Sequence, residues 1–195
     1  MASIQLINRV FSLLGRKPQG SVEQDPWGSL ISTTIDSKTR IIVDNYNWSF
    51  ATKYAELARS TTSSNPRYQY EFTLVNDVAR VLSAYLPFTE NGITKADRPL
   101  ELWQYESSNR NIFTNGITRL MIKYVSYNID AALQVQAFQD GVAYLSASEA
   151  ALTLLENPQL EKEFAERAVT YINMARANDI QAGAQRKWRV NRRLY

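Results

Sequence analysis

The chain contains no histidine and no cysteine, which removes most side-chain chemistry at once. Without histidine there is no imidazole general base, no Ser-His-Asp triad and none of the commonest transition-metal ligand. Without cysteine there is no thiol nucleophile, no disulfide and no thiolate zinc site. Carboxylates and arginines remain. The most concentrated set of functional groups lies in the last ten residues, where Arg186, Lys187, Arg189, Arg192 and Arg193 alternate with Trp188, Val190, Leu194 and Tyr195. The whole chain carries 22 Lys+Arg against 19 Asp+Glu, a net of +3, so removing those five cations leaves 17 against 19, or −2. A slightly acidic body thus ends in a basic, aromatic segment. Such a segment suits an acidic protein surface or a phosphate backbone, and its apolar residues are the anchors of a peptide that settles onto a partner.

The remaining candidates have plainer explanations. Glu161, Glu163 and Glu166 sit near a predicted helix start, where the helix dipole favours negative charge. Asp36, Asp44 and Asp77 have no metal-ligand spacing, and no metal or cofactor is expected. Gly15-Arg16-Lys17-Pro18 lacks the second glycine and the Lys-Ser/Thr of a phosphate loop and reads as a helix stop. Trp27, Trp48 and Trp103 could stack nucleic-acid bases but suit a core or a subunit interface better. The chain is therefore expected not to be an enzyme.

The elements that must position these groups follow from periodicity. At 195 residues, with 45% hydrophobic and 11% aromatic content, the chain is expected to build one packed domain over 1–185, with 186–195 as a docking tail. Ile4, Ile7, Phe11 and Leu14 predict a helix over about 2–14, stopped by Gly15 and Pro18. Asp25-Pro26 opens a second over about 25–46, marked by Leu30, Ile31, Ile35 and Ile42. Segment 48–127 predicts a small antiparallel β insertion. It contains a polar loop at Ser60–Pro66, the alternation Tyr68, Tyr70, Phe72, and an ambiguous stretch Val78–Tyr85 closed by Pro87. Turns are expected at Asn91-Gly92 and Asn115-Gly116, with a short strand at 100–105 and another through Leu120, Ile122 and Tyr124. Val135, Phe138, Val142, Leu145, Leu152 and Leu155 predict a helix over about 132–156. Asn157-Pro158 restarts the chain for a last helix over about 158–183. The expected fold is α+β and mainly helical, with the two helix pairs meeting as a four-helix core and an extended C-terminal tail. No stretch approaches a membrane span, and no secretory leader is apparent, so a soluble protein made in a cytoplasm is expected.

In order along the chain, these segments resemble the tail tubular protein A family and related head-to-tail adaptors of short-tailed bacteriophages. Leu13-Leu14-Gly15 with Pro18 closes the first helix, and Asn47-Trp48-Ser49-Phe50-Ala51 is similar to the family's Trp-x-Phe-Ala. Tyr68-Gln69-Tyr70-Glu71-Phe72 followed by Leu74 to Val81 resembles its aromatic strand and Leu-Pro-x-Asp-x-x-Arg-Val, with Val75 in place of the proline. Trp103 to Glu106, Asn111 to Asn115 and Met121 to Val125 resemble the next three strands, with Ser107-Ser108 in place of a turn glycine. Phe138 to Val142 and Ala175 to Asp179 resemble the two last helices, and Trp188 and Arg192 the tail signature. The resemblance implies a structural virion protein at the head-tail junction. Copies would form a dodecameric ring between the portal protein and the tail nozzle protein, continuing a channel through which DNA passes without specific binding. Its C-terminal segment, Arg186 to Tyr195, would dock on the portal. The alternative is a nucleic-acid-binding protein that grips phosphates with the same basic, aromatic segment.

Overall fold

A computed structural model describes residues 3–21, 26–90, 93–101, 105–108, 110–130 and 134–191. Among them are four helices and eight strands: α1 (Ile4–Leu13), α2 (Pro26–Asp44), β1 (Thr52–Glu56), β2 (Ala58–Arg59), β3 (Tyr70–Thr73), β4 (Val78–Glu90), β5 (Ile93–Pro99), β6 (Tyr105–Ser108), β7 (Asn111–Thr114), β8 (Met121–Ser126), α3 (Gln136–Leu155) and α4 (Pro158–Asn191). The chain divides into two compact units, one of residues 1–50 with 130–195 and one of residues 51–129.

The helical unit begins and ends its helices with local chemistry. Ser3 caps α1 by accepting from the Leu6 N–H at 3.3 Å, and Gly15 takes the left-handed φ of +72° that terminates it. Between α3 and α4, Glu156 turns left-handed at φ +50°. The Asn157 Oδ1 then accepts from the Leu160 N–H at 3.0 Å, the N-cap expected of Asn157-Pro158. Asp25, the proposed cap of α2, lies outside the described residues.

The expected four-helix core is corrected by the packing. α3 is a hub against which α1, α2 and α4 each pack, and α4 finds its main partner in α3 alone. The reason is composition. Ala137, Gly141, Ala143, Ala147, Ala150 and Ala151 are all buried on α3, so small residues face several directions and three neighbours can approach. A helix apolar nearly all round belongs at a centre rather than at one corner of a square. Approach is tight at Gly141, where an added Cβ would lie 2.8 Å from Ile172 Cγ1 and 3.3 Å from the Ile172 backbone nitrogen. Trp48, fully buried, closes the unit: its ring stacks on Phe50 and meets Tyr46 and Phe138 edge-on, and its indole N–H donates to the Ile42 carbonyl at 3.1 Å.

The β part is also corrected, from a small insertion to a unit with two sheets and its own core. One antiparallel sheet runs β1-β8-β4-β5 and the other β2-β3-β7-β6. Phe72 and Ile112 from the second sheet pack with Ala84, Ile122 and Tyr124 from the first, together with Leu57 and Leu120. The alternation at Tyr70 and Phe72 does form a strand, β3. β4 does not stop at Pro87. It pairs with β8 as far as Tyr85 and with β5 from Tyr85 to Glu90, and a register shift between Leu86 and Pro87 absorbs the proline. Asn91-Gly92 and residues 102–104 of the expected strand at 100–105 lie outside the described residues; β6 begins at Tyr105.

The extended tail is corrected as well. α4 continues through Gly183 to Asn191. A single interior glycine costs only about 1 kcal/mol against alanine, and the Ala184, Gln185, Arg186 and Lys187 that follow are good helix formers.

Candidate docking surface on the last helix

α4 carries the candidate groups, so its attachment decides how they are held. Its inward stripe is Phe164, Ala168, Ala175 and Asp179, all buried. Tyr171 stacks on Tyr144 of α3 with ring centroids 5.2 Å apart and planes at 9°. Because Gly141 faces Ile172 and the two helices run antiparallel, the first turn of α3 lies opposite residues near 177. The part of α4 from there to Asn191 continues for roughly 20 Å at 1.5 Å per residue.

That continuation is pinned at its root. Asp179, only 6% exposed, accepts from the Ser49 N–H at 3.0 and 3.1 Å and from the Ser49 hydroxyl at 2.5 Å. A buried carboxylate satisfied by a backbone amide and a hydroxyl fixes the helix to the 46–50 segment. One turn earlier the Arg176 guanidinium lies 5.5 Å from the Tyr46 ring centroid, a cation–π contact. Farther along α1, Arg9 pairs with Asp140 at 2.5 Å and Gln136 donates to the same carboxylate at 2.9 Å, which ties α1 to the hub.

Of the residues expected to dock, Arg186, Lys187, Trp188 and Arg189 lie on the last turns of α4. Arg192, Arg193, Leu194 and Tyr195 lie outside the described residues. The other candidates disperse. Glu163 pairs with Arg167 at 2.6 Å one turn on, and Glu161 sits in the first turn of α4, as the helix-dipole account requires. Trp48 is core, Trp27 lies under the Arg16 guanidinium at 3.3 Å, and Trp103 lies outside the described residues. Among the described residues no group of acidic side chains could hold a metal ion, and no helix is long and apolar enough to cross a membrane.

The β unit offers a cleft of about 530 Å³ lined by Leu74, Val78, Val81, Tyr105, Ser107 and Arg110, among others. Its strongest polar cluster is elsewhere, at Asp77. That carboxylate accepts from the Ser126 hydroxyl at 2.6 Å, from Tyr124 at 3.3 Å and from Lys53 at 3.3 Å, while Lys53 also donates to the Asn128 carbonyl at 2.6 Å. Burial pushes the Asp77 carboxyl up, but the hydrogen bonds from Ser126 and Lys53 and the Lys53 charge outweigh it and hold it below the usual carboxylate range. Burial, with the Asp77 charge, raises the Tyr124 phenol. This network knots the ends of β1, β4 and β8 rather than facing the cleft. A second knot forms at Glu71, which accepts from the Ser64 N–H at 2.6 Å and from Asn111 at 2.5 Å.

Sequence reasoning missed the outward face of α4. Between residues 169 and 182 the exposed positions carry no charge, and Val169, Met174 and Ile180 are 59%, 51% and 62% exposed. The signal was present: from residue 169 to 182 the only charged residues are Arg176 and Asp179, both on the packed side. No family model matches the chain, and no curated protein matches it in sequence.

Proposed function

We propose that this chain is the subunit of a head-to-tail adaptor ring in a short-tailed bacteriophage. It is a structural, non-enzymatic virion protein joined to the portal protein on one side and the tail nozzle protein on the other. Assembled from host cytoplasm into a dodecameric ring, it would continue the channel through which DNA slides without being held. The collinear motifs support this reading, and α4 carries it. A helix pinned by Asp179 to Ser49 leads without a break into Arg186, Lys187, Trp188 and Arg189. A stiff helical arm with guanidinium groups and a tryptophan suits acidic, apolar-lined clefts between portal subunits, where arginine binds carboxylates in a two-pronged fashion.

The test is binding to purified portal rings, imaged by electron microscopy and measured by co-sedimentation, for the full chain, a version ending at Gln185, and Trp188→Ala. The full chain decorates portal. The truncation, with unchanged circular dichroism of the body, does not. Trp188→Ala weakens binding by about 2 kcal/mol, or roughly 30-fold, as expected of a buried aromatic anchor. Equal binding by the full chain and the truncation rejects the docking role. Tight, tail-dependent binding to duplex DNA at physiological salt, steeply weakened by added salt, would instead establish the nucleic-acid reading.

A further inference from the structure

The cleft of about 530 Å³ in the β unit is lined by a strand of each sheet, β4 and β6, and its volume falls in the range of ligand sites. Leu74, Val78, Val81 and Tyr105 pack against the core of Phe72, Ile112, Ile122 and Tyr124, yet they stay only half-buried. Their outer sides form an apolar floor. Four consecutive residues of β4, Val78 to Val81, line the cleft. A strand met face-on offers one set of side chains and hides the other, so the cleft runs along the edge of β4. On that edge the sheet is one strand short. β8 pairs with β4 from Val78 to Tyr85, whereas β5 joins the other side only from Tyr85 onward. The Leu100 N–H, donating to the Ala84 carbonyl at 2.8 Å, ends that attachment.

The charge around the cleft is of one sign. No lining residue is acidic, and two are arginines, Arg80 and Arg110. Neighbouring carboxylates are engaged elsewhere: Asp77 is held by Ser126 and Lys53. Glu106, between the lining residues Tyr105 and Ser107, accepts from the Tyr68 phenol. The Arg110 guanidinium donates to the Val75 carbonyl at 3.1 Å, a contact that fixes it at the rim and engages one of its five donors.

We propose that this cleft binds an extended acidic peptide of a partner protein, which adds beside β4 ahead of Tyr85 and pairs a carboxylate with Arg110. Main-chain hydrogen bonds to the β4 edge hold the peptide, and its apolar side chains settle on Leu74, Val78 and Val81. The carboxylate supplies the charge-assisted contact that the arginine rim selects. Register shifts between Val78 and Arg80 and between Val81 and Ser83 break the edge into short runs. Such an edge cannot template a long ladder between copies of the chain and suits a short peptide. Single-stranded nucleic acid fits less well, because it needs a row of cations and several stacking rings, and Tyr105 is the one ring among the lining residues. The site belongs to the β unit and needs nothing from the α4 surface.

The test pans the full chain against a displayed library of random peptides, then titrates synthetic copies of the selected peptides by fluorescence anisotropy and amide NMR. The selected peptides alternate apolar and acidic residues, and they perturb the amides of Val78 to Ser83 while leaving those of α3 in place. Arg110→Asn keeps a residue that tolerates the left-handed φ of +66° and weakens binding about tenfold, the loss of one charge-assisted hydrogen bond. Replacing the acids of the peptide by their amides has a similar effect without touching the protein. Methylating alternate backbone nitrogens of the peptide also weakens binding, because a strand adds through its main chain. Arg59→Asn, on β2 and outside the cleft, leaves binding unchanged. Selection of no peptides, or of peptides without acids, overturns the proposal. So does binding that ignores both Arg110→Asn and the amide peptide, or that ignores methylation. Displacement of the peptide by oligothymidylate at physiological salt would give the cleft to nucleic acid instead.

Discussion

α3 and β8 are the most buried helix and strand of their units, and they are buried by opposite means. α3 succeeds by being small. Its alanines and Gly141 let three helices come close, and its own large anchor, Phe138, meets Trp48 edge-on. β8 succeeds by being large, with Met121, Ile122, Tyr124 and Val125 all buried between β1 and β4. The polar groups follow suit. In the helical unit the buried carboxylates, Asp140 and Asp179, hold one helix to another segment. In the β unit, Asp77 and Glu71 tie strand ends and loops. A unit built on close helix approach fails when a large anchor is lost, while a unit built on pleated strands and polar knots fails first at its ends.

The largest expected break is Trp48→Ala. It deletes a fully buried indole and the hydrogen bond to Ile42, and truncations of this kind cost about 3–5 kcal/mol. Because the two units have separate cores, amide exchange should rise across α2 and α3 while Ile112, Ile122 and their strand neighbours keep their protection. Equal loss of protection in both would show that the units unfold as one and would dissolve the contrast between them.

A matched pair of carboxylate deletions sharpens the contrast at smaller cost. Asp179→Ala leaves the Ser49 N–H without its acceptor, and Glu71→Ala does the same to the Ser64 N–H. A buried donor left unmet costs about 1–3 kcal/mol, and the Ser64 N–H, on an exposed residue, should cost less because water can replace the carboxylate. The effects should be local and different: faster exchange in α4 from residue 176 onward for Asp179→Ala, and around 60–66 for Glu71→Ala. The first variant should also lose portal binding in part, because the helical arm loses its pin. If Asp179→Ala leaves exchange in α4 unchanged, the pin is not what holds that helix.

Local chemistry was legible in the sequence because it needs only neighbours. Asn157-Pro158 caps α4, Gly15 ends α1, and Tyr70 and Phe72 alternate as a strand because each outcome is decided within a few residues. What depended on distant partners was not legible. Alanines on every side of α3 give no stripe, so its place as hub was hidden and a four-helix square took its place. Pro87 reads as a terminator unless a register shift opens a position without an amide requirement. Gly183 reads as a stop unless its modest cost is weighed against the helix formers after it. The docking residues were legible as composition, but the pin at Asp179 joins positions 130 residues apart and has no signature in either neighbourhood.

The smallest effect, and the most diagnostic of the β unit, comes from Asp77→Asn. In the folded chain the Asp77 carboxyl titrates below its ordinary value, because Ser126 and Lys53 stabilise the charged form more than burial opposes it. The unfolded state therefore takes up a proton first as pH falls, and linkage fixes the sign. The contribution is present above the unfolded value near pH 4 and is lost as pH drops through the lower folded value. Urea midpoints of the β unit should thus decline in the wild type as pH falls below about 4, the ordinary carboxyl value. In Asp77→Asn the curve should start lower and run flatter over that window, since the amide cannot titrate and Lys53 has lost its counter-charge. The helical unit, to which Asp77 does not belong, should give superimposable curves for both proteins. A parallel displacement of the β-unit curves, with the slope kept, would mean that another carboxylate carries the acid sensitivity of the strand ends.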